Sequence, residues 1–172
     1  MGGVVRVWQG RRIGVDLLEV HRPGQAGESR PFEIVRFGQG VAILPVTNDG
    51  RVVLIRQLRP AVGEAILEIP AGKMETGEEI LESARRELLE ETGIEGADLH
   101  LMQSIYTTPG FCDEVIHLVM ARGGIAGPPH PEEDEWIDPP LFLNREEIRS
   151  RIAAGEIRDA KTLVALGLAG FL

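Results

Sequence analysis

Apolar residues in the first part of the chain fall in short runs rich in valine and isoleucine, a pattern typical of β-strands. Two of these runs, at 40–46 and 52–58, flank Asn48-Asp49-Gly50, which is a strong signal for a hairpin turn. Proline and glycine predict a further turn at 22–30. The predicted strands are 12–21, 32–37, 40–46, 52–58, 67–70, 98–107, 115–121 and 136–143, the last interrupted by Pro139-Pro140.

From Thr76 the apolar spacing changes to that of a helix, with Ala84 and Leu88 on one face. Thr76 and Glu79 fit a capping box at its start, and Gly93 fits the residue that ends it. Two more helices are predicted near the end of the chain, 145–154 capped by Asn144 and 162–171 preceded by the capping residue Asp159. Strands and helices mixed in this way indicate an α/β or α+β sandwich.

Composition excludes several classes of protein. The 172 residues carry 27 acidic residues against 18 Lys and Arg, a formal net charge of −9, which argues against binding to a nucleic-acid polymer. No apolar run reaches the roughly 18 residues of a membrane span, and no secretory signal is visible. With Cys112 as the only cysteine, nothing favours an oxidising compartment, so a cytoplasmic protein is expected.

Three carboxylates, Glu87, Glu90 and Glu91, are spaced so that they share one face of the predicted helix. Like charges at this spacing repel and reduce helix stability, so something is expected to offset the repulsion. A hard divalent cation such as Mg²⁺ does this, because it prefers carboxylate oxygens and bridges to substrate phosphates. The alternative is an acidic helix face that is simply solvated.

The surrounding residues favour the metal interpretation. Residues 72–94 follow the pattern G-x5-E-x7-R-E-U-x-E-E-x-G-U, where U is a bulky aliphatic residue. This pattern resembles the Nudix box, the signature of the Nudix hydrolases. The matching positions are Gly72, Glu78, Arg86, Glu87, Leu88, Glu90, Glu91, Gly93 and Ile94.

The resemblance implies a fold and a reaction. The implied fold is of the α/β (α+β) class, a Nudix-type α/β/α sandwich with a mixed β-sheet. It divides the chain into a small N-terminal β-region, 1–38, and a Nudix hydrolase domain, 39–172. The implied reaction is the hydrolysis of a nucleoside diphosphate linked to another group, with Mg²⁺, or Mn²⁺ in its place, as the cofactor.

The resemblance also implies roles for residues of the box. Glu87 and Glu91 are the expected main metal ligands, and Glu90 is a further ligand or an orienting carboxylate. Arg86 is expected to hold one of the carboxylates in place. The backbone carbonyl of Ala71, just before the first glycine of the box, is expected to bind metal as well.

Pro109 lies sixteen residues after Gly93, a spacing that resembles the ADP-ribose pyrophosphatase subgroup. An ordinary turn between two strands explains the same Pro-Gly pair. The subgroup resemblance implies ADP-ribose as the small-molecule substrate. The substrate contacts it implies are Arg59 at the diphosphate or the adenosine half, Gly110 and Glu114 at the terminal ribose, and Glu75 at the ribose or a metal-bound water.

The acidic run at 132–135 follows a loop rich in glycine and proline. By composition alone it is a solvated loop, but in the resembling subgroup a loop here brings an E-x-E pair to the metals. Glu133 and Glu135 are the predicted pair, one as general base and one, Glu135, also as metal ligand, and Glu132 with Asp134 is the competing register.

One position departs from the subgroup: Phe32 stands where an arginine often precedes the residue equivalent to Glu33. Subgroup members are commonly homodimers with exchanged N-terminal strands, so a homodimer is expected here. Two alternatives stay open. One is a Nudix hydrolase of a different nucleoside diphosphate derivative, such as a nucleotide sugar, FAD or a dinucleoside polyphosphate. The other is a non-catalytic Nudix-fold module, which the complete box disfavours.

Overall fold

A computed structural model of the chain describes residues 3–21, 29–131 and 136–172. These residues form two compact units, Met1–Gln39 with Tyr106–Val115, and Gly40–Ile105 with Ile116–Leu172. In chain order the elements are β1 (Val4–Gln9), β2 (Gly14–His21), β3 (Ser29–Arg36), β4 (Gln39–Val46), β5 (Val52–Arg59), β6 (Glu64–Glu68), β7 (Ala71–Lys73), α1 (Ile80–Thr92), β8 (Ile94–Glu95), β9 (Asp98–Tyr106), β10 (Val115–Arg122), β11 (Ile125–Ala126), β12 (Leu141–Leu143), α2 (Arg145–Ala153) and α3 (Ala160–Leu168).

The first unit contains an antiparallel sheet in the order β1-β2-β3. Asp16 is buried in β2 and accepts hydrogen bonds from Arg6 of β1 and from Nε of Arg36, at 2.8 Å, in β3. Arg36 also reaches Asp113, whose carboxylate accepts the backbone N–H of Phe37 at 2.8 Å. These bonds tie the segment after β9 to the small sheet.

The second unit is built on a sheet in the order β12-β5-β4-β10-β9, with β6 paired to β5 and β7 paired to β4. Adjacent residues of β4 point to opposite faces, and each face is covered by a different apolar cluster. Ala42, Leu44 and Val46 pack in one cluster with Ile148 of α2 and with Ala165 and Leu166 of α3. Val41 and Ile43 pack in the other with Ala84 and Leu88 of α1.

The sheet is therefore covered by helices on both faces, which confirms the predicted α/β/α sandwich with a mixed sheet. Double-sided burial also explains why β4, β5 and β10 are continuous apolar runs instead of alternating ones.

The helix ends test the capping predictions. Asn144 and Glu147 form the capping box of α2, and Asp159 caps α3 by accepting the backbone N–H of Thr162. The capping box predicted from Thr76 is wrong, because α1 begins at Ile80 and its N-cap, Glu79, makes no side-chain capping bond. Gly93 ends α1 with a φ of 70°, as predicted for a left-handed C-cap.

The strand predicted at 136–143 is shorter in the structure, where only Leu141–Leu143 forms β12. Pro139 and Pro140 interrupt it, since proline has no N–H to donate to a neighbouring strand. The segment before them still lies along β5. Leu58 donates its N–H to the carbonyl of Trp136 at 3.0 Å, and Ile137 forms an isolated bridge with Gln57.

Candidate active site

The carboxylates of the box lie on the face of α1 that packs toward the sheet. Glu91 is completely buried and Glu87 is 6% exposed, next to Ala84 and Leu88 in the apolar cluster. Because i, i+3 and i+4 positions share a helix face, Glu90 belongs to the same face at its more exposed edge. Burial of two carboxylates one turn apart is costly unless each is hydrogen-bonded or bound to a cation.

Arg86 supplies the cationic partner for this cluster. Its Nη1 donates to Glu87 Oε1 at 2.7 Å and to Glu90 Oε2 at 3.2 Å. Its Nε and Nη2 form a fork with the two oxygens of Glu78, at 3.0 and 3.1 Å. The bond to Arg86 is the main cause that lowers the pKa of Glu78 from 4.5 to about 2, and the same bond raises the pKa of Arg86. The orienting role of Arg86 stays a prediction, and Glu87 and Glu90 are the carboxylates that it contacts.

The short strand β7 approaches the same helix face. The N–H of Ala71 donates to Glu91 Oε2 at 2.9 Å, and Gly72 lies directly against the carboxylate of Glu87. A Cβ at position 72 would come within 1.9 Å of Glu87 Oε1, so only glycine permits this approach. A larger residue at this position would therefore displace the carboxylate of Glu87 from its place against the backbone.

The donor atoms gathered here suit a hard cation. The carboxylates of Glu87, Glu90 and Glu91 offer only oxygen ligands, which are the ligands that Mg²⁺ and Mn²⁺ prefer. Across the described residues, no three Asp, Glu, His or Cys side chains already converge as a metal-binding group. In this arrangement Glu87 and Glu90 share Nη1 of Arg86.

Arg59, a predicted substrate contact, ends β5 and is anchored by a buried carboxylate. Its Nε donates to Glu68 Oε1 at 2.7 Å, and Glu68 also pairs with Lys161 of α3. Burial opposes the charge of Arg59, but the hydrogen bond and charge of Glu68, with the nearby charge of Glu91, raise the pKa of Arg59. Arg59 therefore lies within electrostatic reach of the acidic helix face.

The other predicted substrate contacts belong to different units, Glu75 to the second and Gly110 and Glu114 to the first. Glu75 is exposed in the turn before α1, where its N–H donates to Glu78 Oε2 at 3.0 Å. Gly110 and Glu114 belong to the first unit, in which Thr107 Oγ1 donates to Glu114 Oε2 at 2.6 Å. A Cβ at Gly110 would meet no atom within 4 Å, so packing does not require glycine there.

Glu133 and Glu135, with Glu132 and Asp134, lie outside the described residues. The chain on either side of them is held in the second unit. Before them, the N–H of His130 donates to the carbonyl of Glu90 at 2.7 Å. After them, the carbonyl of Trp136 accepts the N–H of Leu58, the neighbour of Arg59.

Sequence reasoning missed several residues that shape this site. The pairing of Glu68 with Lys161 joins residues 93 positions apart, and no local pattern indicates it. Thr162, completely buried, accepts the N–H of Ile69 through its Oγ1 at 2.9 Å and so joins α3 to the chain just before β7. Glu68 alone could have indicated a buried ion pair from the sequence, because it is an acidic residue in an otherwise apolar run.

Fold and site together define an α+β protein with a cluster of carboxylates on a helix that packs against a mixed sheet. The chain belongs to the Nudix hydrolase family, since residues 36–164 match the model of the NUDIX domain. In the described part of the chain, none of the helices has the length and apolar character of a membrane-spanning helix.

Relatives of the chain carry several names. One, named methanol dehydrogenase activator, from Bacillus methanolicus, is 37% identical over 94% of this chain and 86% of its own length. An ADP-ribose pyrophosphatase of Bacillus subtilis (strain 168) is 34% identical over 94% of this chain and 86% of its own length. A GDP-mannose pyrophosphatase of Salmonella typhimurium (strain LT2) is 32% identical over 78% of this chain and 74% of its own length.

A solved structure described as the crystal structure of ADP compounds hydrolase has the same fold. Its TM-score to this chain is 0.82 at 21% identity, with 98% of this chain and 90% of that chain covered. The predicted membership in the Nudix hydrolases and the predicted fold are thereby confirmed.

Proposed function

We propose that this Nudix hydrolase is a Mg²⁺-dependent ADP-ribose pyrophosphatase, which hydrolyses ADP-ribose to AMP and ribose 5-phosphate. The observation that carries the proposal is the buried acidic face of α1, with Glu87 and Glu91 against Ala71-Gly72 and Arg59 in electrostatic reach. Such a site combines oxygen ligands for a cation with a guanidinium for a phosphate.

Each residue of the site has a proposed part in the reaction. Glu87, Glu91, Glu90 and the carbonyl of Ala71 hold the cation, and Arg86 orients Glu87 and Glu90 through Nη1. Bound there, Mg²⁺ or Mn²⁺ neutralises the diphosphate and lowers the pKa of a water molecule. Arg59 binds the diphosphate oxygens.

Glu133 or Glu135 is the proposed general base, which takes a proton from the water that attacks phosphorus. The support is that the flanking residues, His130 and Trp136, are held beside Glu90 and beside the neighbour of Arg59. The P–O–P bridge then breaks, and the oxygen of the water remains on one of the two phosphate products.

ADP-ribose is preferred among nucleoside diphosphate derivatives for two reasons. Pro109 has the spacing that resembles this subgroup, and the B. subtilis relative with that name covers nearly the whole chain. Gly110 and Glu114 are proposed to contact the terminal ribose, and Glu75 the ribose or a metal-bound water. We further propose a cytoplasmic homodimer in which residues 1–38 are exchanged between copies.

Hydrolysis of a nucleotide sugar is the second candidate, favoured by the relative named GDP-mannose pyrophosphatase. A panel of ADP-ribose, GDP-mannose, UDP-glucose, FAD and diadenosine polyphosphates, each with Mg²⁺, separates the candidates by kcat/KM. We expect ADP-ribose to give the highest value, by about tenfold or more. A higher value for a guanine or uracil nucleotide would make the substrate assignment wrong, and absence of turnover on every compound would indicate a non-catalytic module.

A further inference from the structure

Glu68, the last residue of β6, is a carboxylate with no exposed surface that is paired through both of its oxygens. Oε1 accepts Nε of Arg59, and Oε2 accepts Nζ of Lys161. A buried carboxylate is strongly destabilised when one oxygen loses its partner. Arg59 and Lys161 therefore share the buried carboxylate of Glu68, and each of them is bonded to one of its oxygens.

Lys161 is held on the other side by the start of α3. Its side chain is 11% exposed, and Nζ also donates to Asp159 Oδ1 at 3.1 Å. Asp159 in turn accepts the N–H and the Oγ1 hydroxyl of Thr162, at 3.0 and 2.6 Å. Because the capping residue of α3 fixes Lys161, the helix start also fixes which oxygen of Glu68 is left for Arg59.

Arg59 uses only Nε in this pairing. Within the described residues its two Nη groups donate to no protein acceptor, and its side chain is 36% exposed. An arginine and a carboxylate left to themselves favour a two-point fork, in which an Nη group is used as well as Nε. In the structure Lys161 occupies Oε2, Arg59 does not form that fork, and its Nη groups are left for an external anion.

We propose that Lys161 is a positioning residue: it occupies the second oxygen of Glu68, so that Arg59 is anchored through Nε alone and offers both Nη groups to the substrate diphosphate. The proposal rests on the proposed function insofar as Arg59 is the diphosphate contact. Without Lys161, the guanidinium of Arg59 forms two hydrogen bonds with Glu68, one to each oxygen. An Nη group is then no longer available to the substrate.

A double-mutant cycle tests this inference. Lys161→Met, Arg59→Met and the double variant are compared with wild type for KM and kcat on ADP-ribose with Mg²⁺. We expect Lys161→Met to raise KM about tenfold with little change in kcat, and to have no further effect once Arg59 is absent. Lys161→Arg, which keeps a charged donor for Oε2, is expected to recover most of the loss.

Arg158→Met is the matched control. Arg158 precedes the same helix and pairs with Glu64, at the other end of β6, at 2.5 Å, but both side chains are exposed. The KM of the Arg158→Met variant for ADP-ribose is expected to stay within about twofold of the wild-type value. Melting temperatures are recorded for all variants, and Lys161→Leu, which also offers no donor to Oε2, replaces the methionine variant in the cycle if that variant does not fold.

Binding of inorganic pyrophosphate with Mg²⁺, measured by calorimetry in the same variants, separates this inference from the choice of substrate. One outcome is that the protein binds pyrophosphate with the same coupling between positions 59 and 161 and yet does not hydrolyse ADP-ribose. In that case the positioning role of Lys161 is supported and the proposed substrate is wrong. The inference is overturned if Lys161→Met raises KM equally with and without Arg59. It is also overturned if that variant lowers only the melting temperature.

Discussion

At the residue scale, Glu91 is the most deeply buried carboxylate of the box. It has no exposed surface, and Oε2 accepts the N–H of Ala71 at 2.9 Å, so its position links α1 to β7. A buried negative charge is tolerated only with a compensating cation or hydrogen bonds. The proposed metal supplies that charge when bound, which makes the negative charge of Glu91 the property to test.

Glu91→Gln keeps the size of the side chain and an oxygen that can accept the Ala71 N–H, but it removes the charge. We expect kcat/KM for ADP-ribose to fall by about a hundredfold or more, because loss of a ligand charge weakens both cation binding and phosphate neutralisation. Steady-state kinetics over a Mg²⁺ titration measures the loss, and a higher Mg²⁺ requirement is expected with it.

Glu82→Gln is the control, since Glu82 lies in the first turn of the same helix but is exposed. Its kcat/KM is expected to stay close to that of wild type. Near-normal activity of Glu91→Gln, with an unchanged melting temperature, would remove Glu91 from the set of metal ligands.

Single residues also show how far the site could be predicted from sequence. The grouping of Glu87, Glu90 and Glu91 follows from helical spacing, which is a local property of the chain. The partnership of Glu68 and Lys161 does not, because it depends on α3 packing beside β6. Gly72 is intermediate: the box pattern identifies the position, and the structure adds that the carboxylate of Glu87 lies against it.

At the element scale, the strands predicted best are those buried on both faces. Continuous apolar sequences identified β4, β5 and β10, because helices cover both sides of the sheet. β1 was missed, since all its described side chains are exposed and its sequence, six residues long, has no clear period. The predicted start of α1 was too early. Glu79 is the N-cap residue although its side chain makes no capping bond, and the carboxylate of Glu78 accepts a hydrogen bond from Arg86.

The turn before α1 is pinned to the helix by Glu78, and this predicts a pH dependence. The pKa of Glu78 is lowered from 4.5 to about 2, mainly by its bond to Arg86. A carboxyl whose folded pKa is lowered stabilises the fold above its unfolded pKa and loses that effect as the pH falls through the folded value. The contribution of Glu78 is therefore complete above pH 4.5 and disappears toward pH 2.

Melting curves of wild type and Glu78→Gln across this range test the prediction. We expect wild type to melt a few degrees higher near neutral pH, and the difference to shrink steadily below pH 4.5. Glu79→Gln is the matched control at an exposed neighbouring position and should show no such trend. A difference between wild type and Glu78→Gln that stays constant down to pH 2 contradicts the lowered pKa.

At the scale of the whole molecule, the net charge of −9 is unevenly distributed. Residues 72–94 carry seven glutamates against Lys73, Arg85 and Arg86, and residues 132–135 are all acidic. Arg86 and Arg59 lie at or near this concentration of charge, each anchored to a carboxylate. An anionic diphosphate is attracted to such a surface only when cations are bound there, so charge distribution and proposed cofactor agree.

The small sheet of the first unit bears on the proposed homodimer. Val4, Val5, Val7 and Trp8 of β1 are all more than half exposed, which is an unusual concentration of apolar side chains on one short strand. In the order β1-β2-β3, β1 is also an edge strand, and an edge strand offers unpaired backbone groups to another chain. A second copy of this chain is the occupant that the proposed exchange of residues 1–38 requires.

Light scattering coupled to size-exclusion chromatography, over a dilution series, tests this assembly. We expect wild type to elute with twice the mass of the 18.8 kDa chain, and Val5→Asp to shift toward the single chain because a charge enters an apolar contact. Val62→Asp is the matched control, since Val5 and Val62 are the same residue type, each 60% exposed, and Val62 lies in the turn after β5. A wild-type mass of one chain at every concentration, or equal behaviour of the two variants, means that β1 does not form the interface.

If Val5→Asp dissociates and also loses hydrolysis of ADP-ribose while Val62→Asp keeps both properties, the N-terminal region contributes to the site through the partner chain.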